Sequence, residues 1–106
     1  MITEISVDDL TSAQQSGALL IDVREPDEYQ AGHVPGAVSI PLSVVPVRGH
    51  ELPRDAAVYL ICQGGGRGMH AAEVLNKAGY DVRSVAGGTN AWVSAGKPLI
   101  AGPNAG

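Results

Sequence analysis

Apolar residues in this chain come in short blocks set between polar turns. Leu19 to Val23 and Ala57 to Ile61 are nearly unbroken apolar runs of strand length, the pattern of strands covered on both faces. Ile2 to Ile5, Ala37 to Ile40 and Val82 to Val85 are shorter runs bounded by turn or cap residues, and each predicts a further strand. Helical patterns alternate with them. Val7 to Gln15 follows Ser6, a good N-cap, and ends before Gly17, which suits the position just past a helix. Pro26 to Ala31 opens on proline where a helix tolerates it and stops at Gly32. Gly68 to Ala78 puts Ala71, Val74, Leu75 and Ala78 at helical spacing before Gly79. Thr89 to Ala95 repeats the recipe, with Thr89 as cap and Gly96 as stop.

Strand and helix therefore alternate, which predicts an α/β domain with a mainly parallel sheet and helices on both faces. Pro41 to Pro53 holds three prolines and little periodicity, so it reads as a long surface connection with room for one helical turn. Ala101 to Gly106 is alanine, glycine, proline and asparagine, a composition that predicts a flexible tail behind a single domain over residues 1–100.

Length and charge narrow the functions. At 106 residues the chain closes one core. A net charge of -4 gives no general attraction to nucleic acid or to anionic lipid, both of which need a basic face. No apolar run approaches a membrane span, and Met1 to Leu10 has no basic start of the secretory kind. One cysteine excludes an internal disulfide, a CxxC redox pair and a cysteine-built zinc site, so a cytoplasmic, reducing setting is expected. No pair or cluster of acids has the setting of a metal site, and no cofactor is expected.

That cysteine, Cys62, stands at the end of the best strand and is followed by Gln63, Gly64, Gly65, Gly66, Arg67 and Gly68. In open α/β sheets ligands bind beyond the carboxyl ends of strands, where loops enter helices. A thiolate is the reactive form of cysteine, and a helix N-terminus favours it through unpaired N–H groups and a partial positive charge. Glycines at 64, 65 and 66 permit positive φ and an inward curl of amides, and Arg67 adds a permanent cation suited to an oxyanion. A lone buried cysteine is ordinarily an inert small hydrophobe, and a glycine run ordinarily a turn. Their conjunction is what points to an activated nucleophile.

The stretch CQGGGRG resembles the active-site loop of the rhodanese (sulfurtransferase) family, which often reads C-x-x-G-x-R; Cys62, Gly65 and Arg67 match. DVREPDEYQAGHVPGA, Asp22 to Ala37, resembles the family's signature after its second strand, and VAGGTNAW, Val85 to Trp92, its glycine-glycine and tryptophan segment. The three matches run in the family's order from Ile5 to Gly96. The resemblance implies a five-stranded sheet, and a Cys62 that takes the outer sulfur of thiosulfate or a thiol persulfide and passes it, as a persulfide, to cyanide, a thiol or a protein thiol. It implies that amides from Gln63 to Gly68 cradle that sulfur, that Asp22 and Arg24 brace the loop, and that a thioredoxin-like or sulfur-carrier protein is a candidate partner. Where the family often has Ser or Thr after the arginine, this chain has Gly68, and position 63 is Gln instead of a base. With a single loop cation, a thiol or protein persulfide is a candidate donor beside dianionic thiosulfate.

Other residues read more plainly. His33 is expected to be a satisfied turn histidine, His70 a solvent-facing helix residue, Trp92 a core residue, and Asp27 and Glu28 ordinary helix-start acids. A phosphatase of similar fold would carry C-x5-R; here four residues separate Cys62 from Arg67, a smaller bowl that suits sulfur better than phosphate. A persulfide carrier that holds sulfur for a partner is the alternative outside turnover catalysis. An inactive regulatory domain of the family would ordinarily lack the cysteine.

Overall fold

The computed structural model describes residues 2–106. Five strands, β1 (Thr3–Ile5), β2 (Leu19–Asp22), β3 (Val38–Ser39), β4 (Val58–Ile61) and β5 (Val82–Val85), form one sheet in the order β1-β5-β4-β2-β3. Every pairing is parallel. The helices are α1 (Val7–Gln15), α2 (Pro26–Ala31), α3 (Val45–Arg48), α4 (Gly66–Lys77) and α5 (Gly88–Ser94).

Both faces of the sheet are covered, as nearly unbroken apolar strands require. On one face Ile21, Val58, Leu60, Cys62 and Val82 meet Val45 of α3 and Ala71, Ala72 and Leu75 of α4. On the other, Leu20, Ile61 and Val85 meet Leu10 of α1, Tyr29 of α2 and Trp92 of α5. Ser6 caps α1 as expected, its Oγ accepting the Asp9 N–H at 3.0 Å.

Four segments differ from the sequence expectation, one being α4, which starts at Gly66 instead of Gly68 and so takes in Gly66, Arg67 and Gly68 of the expected loop. Residues 41–53 are not an aperiodic surface connection: a 3-10 turn (Leu42–Val44), α3 and a second 3-10 turn (Gly49–Glu51) follow one another and bury Val45 and Leu52. Each piece is one turn long, too short to show a 3.6-residue period. Residues 101–106, expected to be flexible, lie back on the domain: the Gly102 N–H donates to Gln30 O (2.8 Å) and the Gly36 N–H to Ala105 O (2.6 Å). Thr89 is not the cap of α5; Gly87, at φ +72°, holds that position and Thr89 lies within the helix.

The order of the strands fixes where a site can form. After β2 the chain moves outward to β3, whereas after β4 it moves the other way to β5. α2 and α4 accordingly pack on opposite faces, and the loops leaving β2 and β4 diverge at adjacent strand ends. Such a switch point opens a crevice beyond the carboxyl edge of the sheet.

Candidate functional site

Cys62 is the first residue after β4, and its loop is held from two sides. From one side comes the N-terminus of α5. The N–H and Oγ of Thr89 both donate to Cys62 O, at 2.8 and 3.0 Å, and the Asn90 N–H donates to Gln63 O at 3.0 Å. Two loop carbonyls are thereby turned toward α5. Because trans peptide units are planar, the N–H groups of Gln63 and Gly64 face the opposite way.

That close approach depends on Gly88. Its φ is +55°, and a Cβ there would stand 2.4 Å from Cys62 O and 2.8 Å from Gln63 O. Gly65 is the loop's own turning point, at φ +112°, and serves as the N-cap of α4. The expectation that Gly64 and Gly66 also take positive φ is corrected: Gly65 alone of the three does so. The Gly65 N–H donates to Cys62 Sγ at 3.0 Å. Among the described residues it is the one loop amide that donates a hydrogen bond to the sulfur. Cys62 is 1% exposed and packs in the buried cluster that includes Leu60, Ala71 and Ala72.

From the other side the loop meets the end of β2. Asp22 and Arg24 are both buried, and their charges are joined by bonds from Arg24 Nε to Asp22 Oδ1 (3.1 Å) and from Nη2 to Oδ2 (2.8 Å). The fork's remaining donors reach Gly32 O (2.8 Å) and Gln63 Oε1 (2.9 Å). The Gln63 amide then donates through Nε2 to Asn90 Oδ1 at 2.6 Å, so one side chain straps β2, the loop and α5 together. A buried charge is tolerated where it has an opposite partner and hydrogen bonds, and here every nitrogen of the Arg24 guanidinium donates to an acceptor.

Arg67 does not point a free cation at the cup. It donates to both carboxylate oxygens of Glu28 in the first turn of α2, Nη1 to Oε1 at 2.6 Å and Nη2 to Oε2 at 2.9 Å. Glu28 Oε1 also accepts the Glu25 N–H at 3.0 Å. The hydrogen bonds from Arg67 are the largest influence on Glu28 and hold its pKa down at about 2; those bonds likewise raise Arg67 above its ordinary value. Glu28 is the residue that sequence reasoning passed over. Its partner lies 39 positions away on the opposite side of the sheet, and no local pattern announces such a pair.

The remaining side chains fall where the plainer readings put them. His33 is fully buried, stacked on Tyr29, with Nδ1 and Nε2 each 2.8 Å from a carbonyl oxygen, those of Tyr29 and Asn104. His70 is exposed, and Trp92 is buried with Nε1 donating to Pro98 O at 2.8 Å. Gly68 packs against the sheet: a Cβ there would lie 3.4 Å from Leu60 O and 3.4 Å from Ser84 Oγ, a buried hydroxyl without a partner. Beside the loop a cleft of about 280 Å³ is lined by Arg24, Glu28, Gln63, Thr89, Val93 and Leu99, among others. Among the described residues no group of three or more His, Cys, Asp or Glu is placed to hold a metal ion, and no helix is long and apolar enough to cross a membrane.

Comparison with known proteins adds a family. The model of the rhodanese-like domain matches residues 6–95. A protein named sulfurtransferase from Allochromatium vinosum is 35% identical over 104 residues, covering 95% of this chain and 97% of that one. A putative sulfur carrier protein of Bacillus subtilis, YrkF, is 38% identical over 94 residues; the match takes 86% of this chain but only 51% of that protein. Among solved structures, a rhodanese-related protein from Thermoplasma volcanium superposes with a TM-score of 0.86 at 31% identity, covering 92% of this chain and 97% of that one.

Proposed function

This chain belongs to the rhodanese-like domain family, and from that premise we propose that it is a sulfurtransferase working through a persulfide on Cys62. Relatives named sulfurtransferase and putative sulfur carrier support sulfur transfer of the rhodanese type. The observation that carries the finer reading is the Gly65 N–H directed at Cys62 Sγ from 3.0 Å, at the switch point of the sheet.

In the first step the Cys62 thiolate attacks the outer sulfur of the donor. The new Sγ–S bond forms as the donor's own S–S bond breaks, and the electron pair leaves with sulfite, from thiosulfate, or with a thiolate, from a thiol persulfide. The negative charge then sits on the terminal sulfur of the persulfide, where a preset amide donor and the start of α4 favour it without side-chain rearrangement. In the second step cyanide, a thiol or a protein thiol takes that terminal sulfur and the Cys62 thiolate is restored. Gln63, Gly64, Gly65, Gly66 and Gly68 supply the walls of the cup, Asp22 and Arg24 brace it through Gln63, and Arg67 fixes the first turn of α4 to α2. A thioredoxin-like or sulfur-carrier protein is the class of protein acceptor this chemistry suits, since the chain holds no second thiol to receive the sulfur.

A persulfide carrier without turnover is the second reading, favoured by the burial of Cys62, which is 1% exposed. Intact mass after incubation with thiosulfate, and separately with a thiol persulfide, tests the shared step. Gain of one sulfur by the wild type and none by Cys62→Ser supports it. No gain from either donor, together with hydrolysis of an aryl phosphate, overturns it. Repeated thiocyanate release with cyanide separates the enzyme from the carrier.

A further inference from the structure

Each positive charge at the mouth of the cup is already matched. Arg24 is spent on buried Asp22, and Arg67 is gripped by both oxygens of Glu28. The chain as a whole carries a net charge of -4. A dianion approaching this mouth therefore meets two ion pairs and no surplus cation. Glu28 itself also lines the adjoining cleft. The same cleft presents Val93 and Leu99, two apolar side chains that are 51% and 37% exposed. Such a wall suits an organic body and has nothing to offer a sulfonate.

We propose that Glu28 is a specificity-determining residue: by holding Arg67 in a two-bond pair it turns the site away from dianionic thiosulfate and toward persulfides of organic thiols, whose carbon body lies against Val93 and Leu99. The inference rests on the sulfur-transfer reading above and deepens it. Glu28 itself exchanges no proton or sulfur; it acts through Arg67. Because its pKa is held at about 2, the pair keeps its charge throughout the range in which sulfur transfer would be measured. Removing the carboxylate charge leaves Arg67 uncompensated. A cation a few ångströms from a dianion at a wet surface is worth roughly a tenfold change in binding.

The test compares kcat/KM for thiosulfate with kcat/KM for cysteine persulfide, both with cyanide as acceptor, in the wild type and in Glu28→Gln. Glutamine keeps the oxygen that accepts the Glu25 N–H, so the cap of α2 is retained. The expected result is a rise of roughly tenfold in the thiosulfate-to-persulfide ratio, carried by a lower KM for thiosulfate and weakened by added salt. In an Arg67→Ala background the same Glu28 change should leave the ratio within twofold, because the cation it would release is gone. A ratio unchanged in Glu28→Gln, with sulfur transfer intact, overturns the assignment of Glu28 and leaves the sulfur-transfer reading standing. Absence of a Cys62 persulfide from both donors in the wild type overturns both. Should Glu28→Gln fail to fold, Glu28→Ser carries the same comparison: a raised ratio supports the assignment and an unchanged one overturns it.

Discussion

Replacement of Gly88 by alanine isolates the contact on which the loop's geometry depends. An alanine there must hold a left-handed backbone at φ +55°, which costs an L-residue roughly 1–2 kcal/mol. Its Cβ would also stand 2.4 Å from Cys62 O, 2.8 Å from Gln63 O and 2.9 Å from the Gln63 carbonyl carbon. Those are backbone atoms, and both oxygens are pinned by N–H groups of α5, so no flexible side chain can yield. Either the helix retreats and stretches the Thr89 and Asn90 hydrogen bonds, or the loop shifts; overpacking of this kind adds about 1–3 kcal/mol. The expected loss is about 2–5 kcal/mol. Gly17→Ala is the control, because Gly17 has φ +85° but nothing within 4 Å of an added Cβ, so it registers the backbone cost alone, about 1 kcal/mol. Urea unfolding of both variants, read at constant m, gives the difference directly. The Gly88 variant should also load sulfur more slowly than Gly17→Ala while still folded, since the Gly65 amide and the sulfur move with the loop. Equal losses in the two variants, within about 0.5 kcal/mol, would refute the claim that α5 clamps the cup through this glycine.

Three further outcomes follow from the site and its surroundings. Arg24→Met leaves buried Asp22 without its partner and Gln63 without one end of its strap; a loss of about 3–5 kcal/mol in urea unfolding is expected, with loading impaired even in the folded fraction. Glu28 has a folded pKa of about 2, below its ordinary 4.5, so its stabilising effect is complete above pH 4.5 and fades as pH falls through 2. The stability gap between wild type and Glu28→Gln should therefore be constant from pH 7 to pH 5 and narrow at pH 3, and a gap that widens on acidification would contradict the pair. Truncation after Ile100 removes Asn104 O from buried His33 and Ala105 O from the Gly36 N–H; about 1–3 kcal/mol should be lost in thermal or urea unfolding, whereas a truly flexible tail would be removed without effect.

How much of this was legible in the sequence follows from which forces leave a local trace. α1 and α2 run over the residues that their caps and stops predict, and β2 and β4 announce themselves as apolar runs because a strand covered on both faces has no polar side to show. The three motif stretches located the loop, the end of β2 and the start of α5, and the family model matches residues 6–95, close to the span from Ile5 to Gly96. What stayed hidden was non-local or carried by backbone. The Glu28–Arg67 pair joins two helix starts that only the strand order brings together. Thr89 has the look of a cap, but a pair of left-handed glycines begins α5 sooner and frees its hydroxyl for Cys62 O. The 101–106 segment is held largely by main-chain hydrogen bonds, which any composition can make.

The two outermost strands of the sheet are its shortest, three residues in β1 and two in β3. An exposed rim of unpaired backbone groups is a template on which another polypeptide can extend the ladder, and the hazard grows with the length of the rim. Here the three four-residue strands, β5, β4 and β2, lie inside and the borders are clipped to a few hydrogen bonds each. Fibril-like stacking through the sheet margin thus has almost no foothold, and concentrated samples should resist cross-β growth until the fold itself is lost.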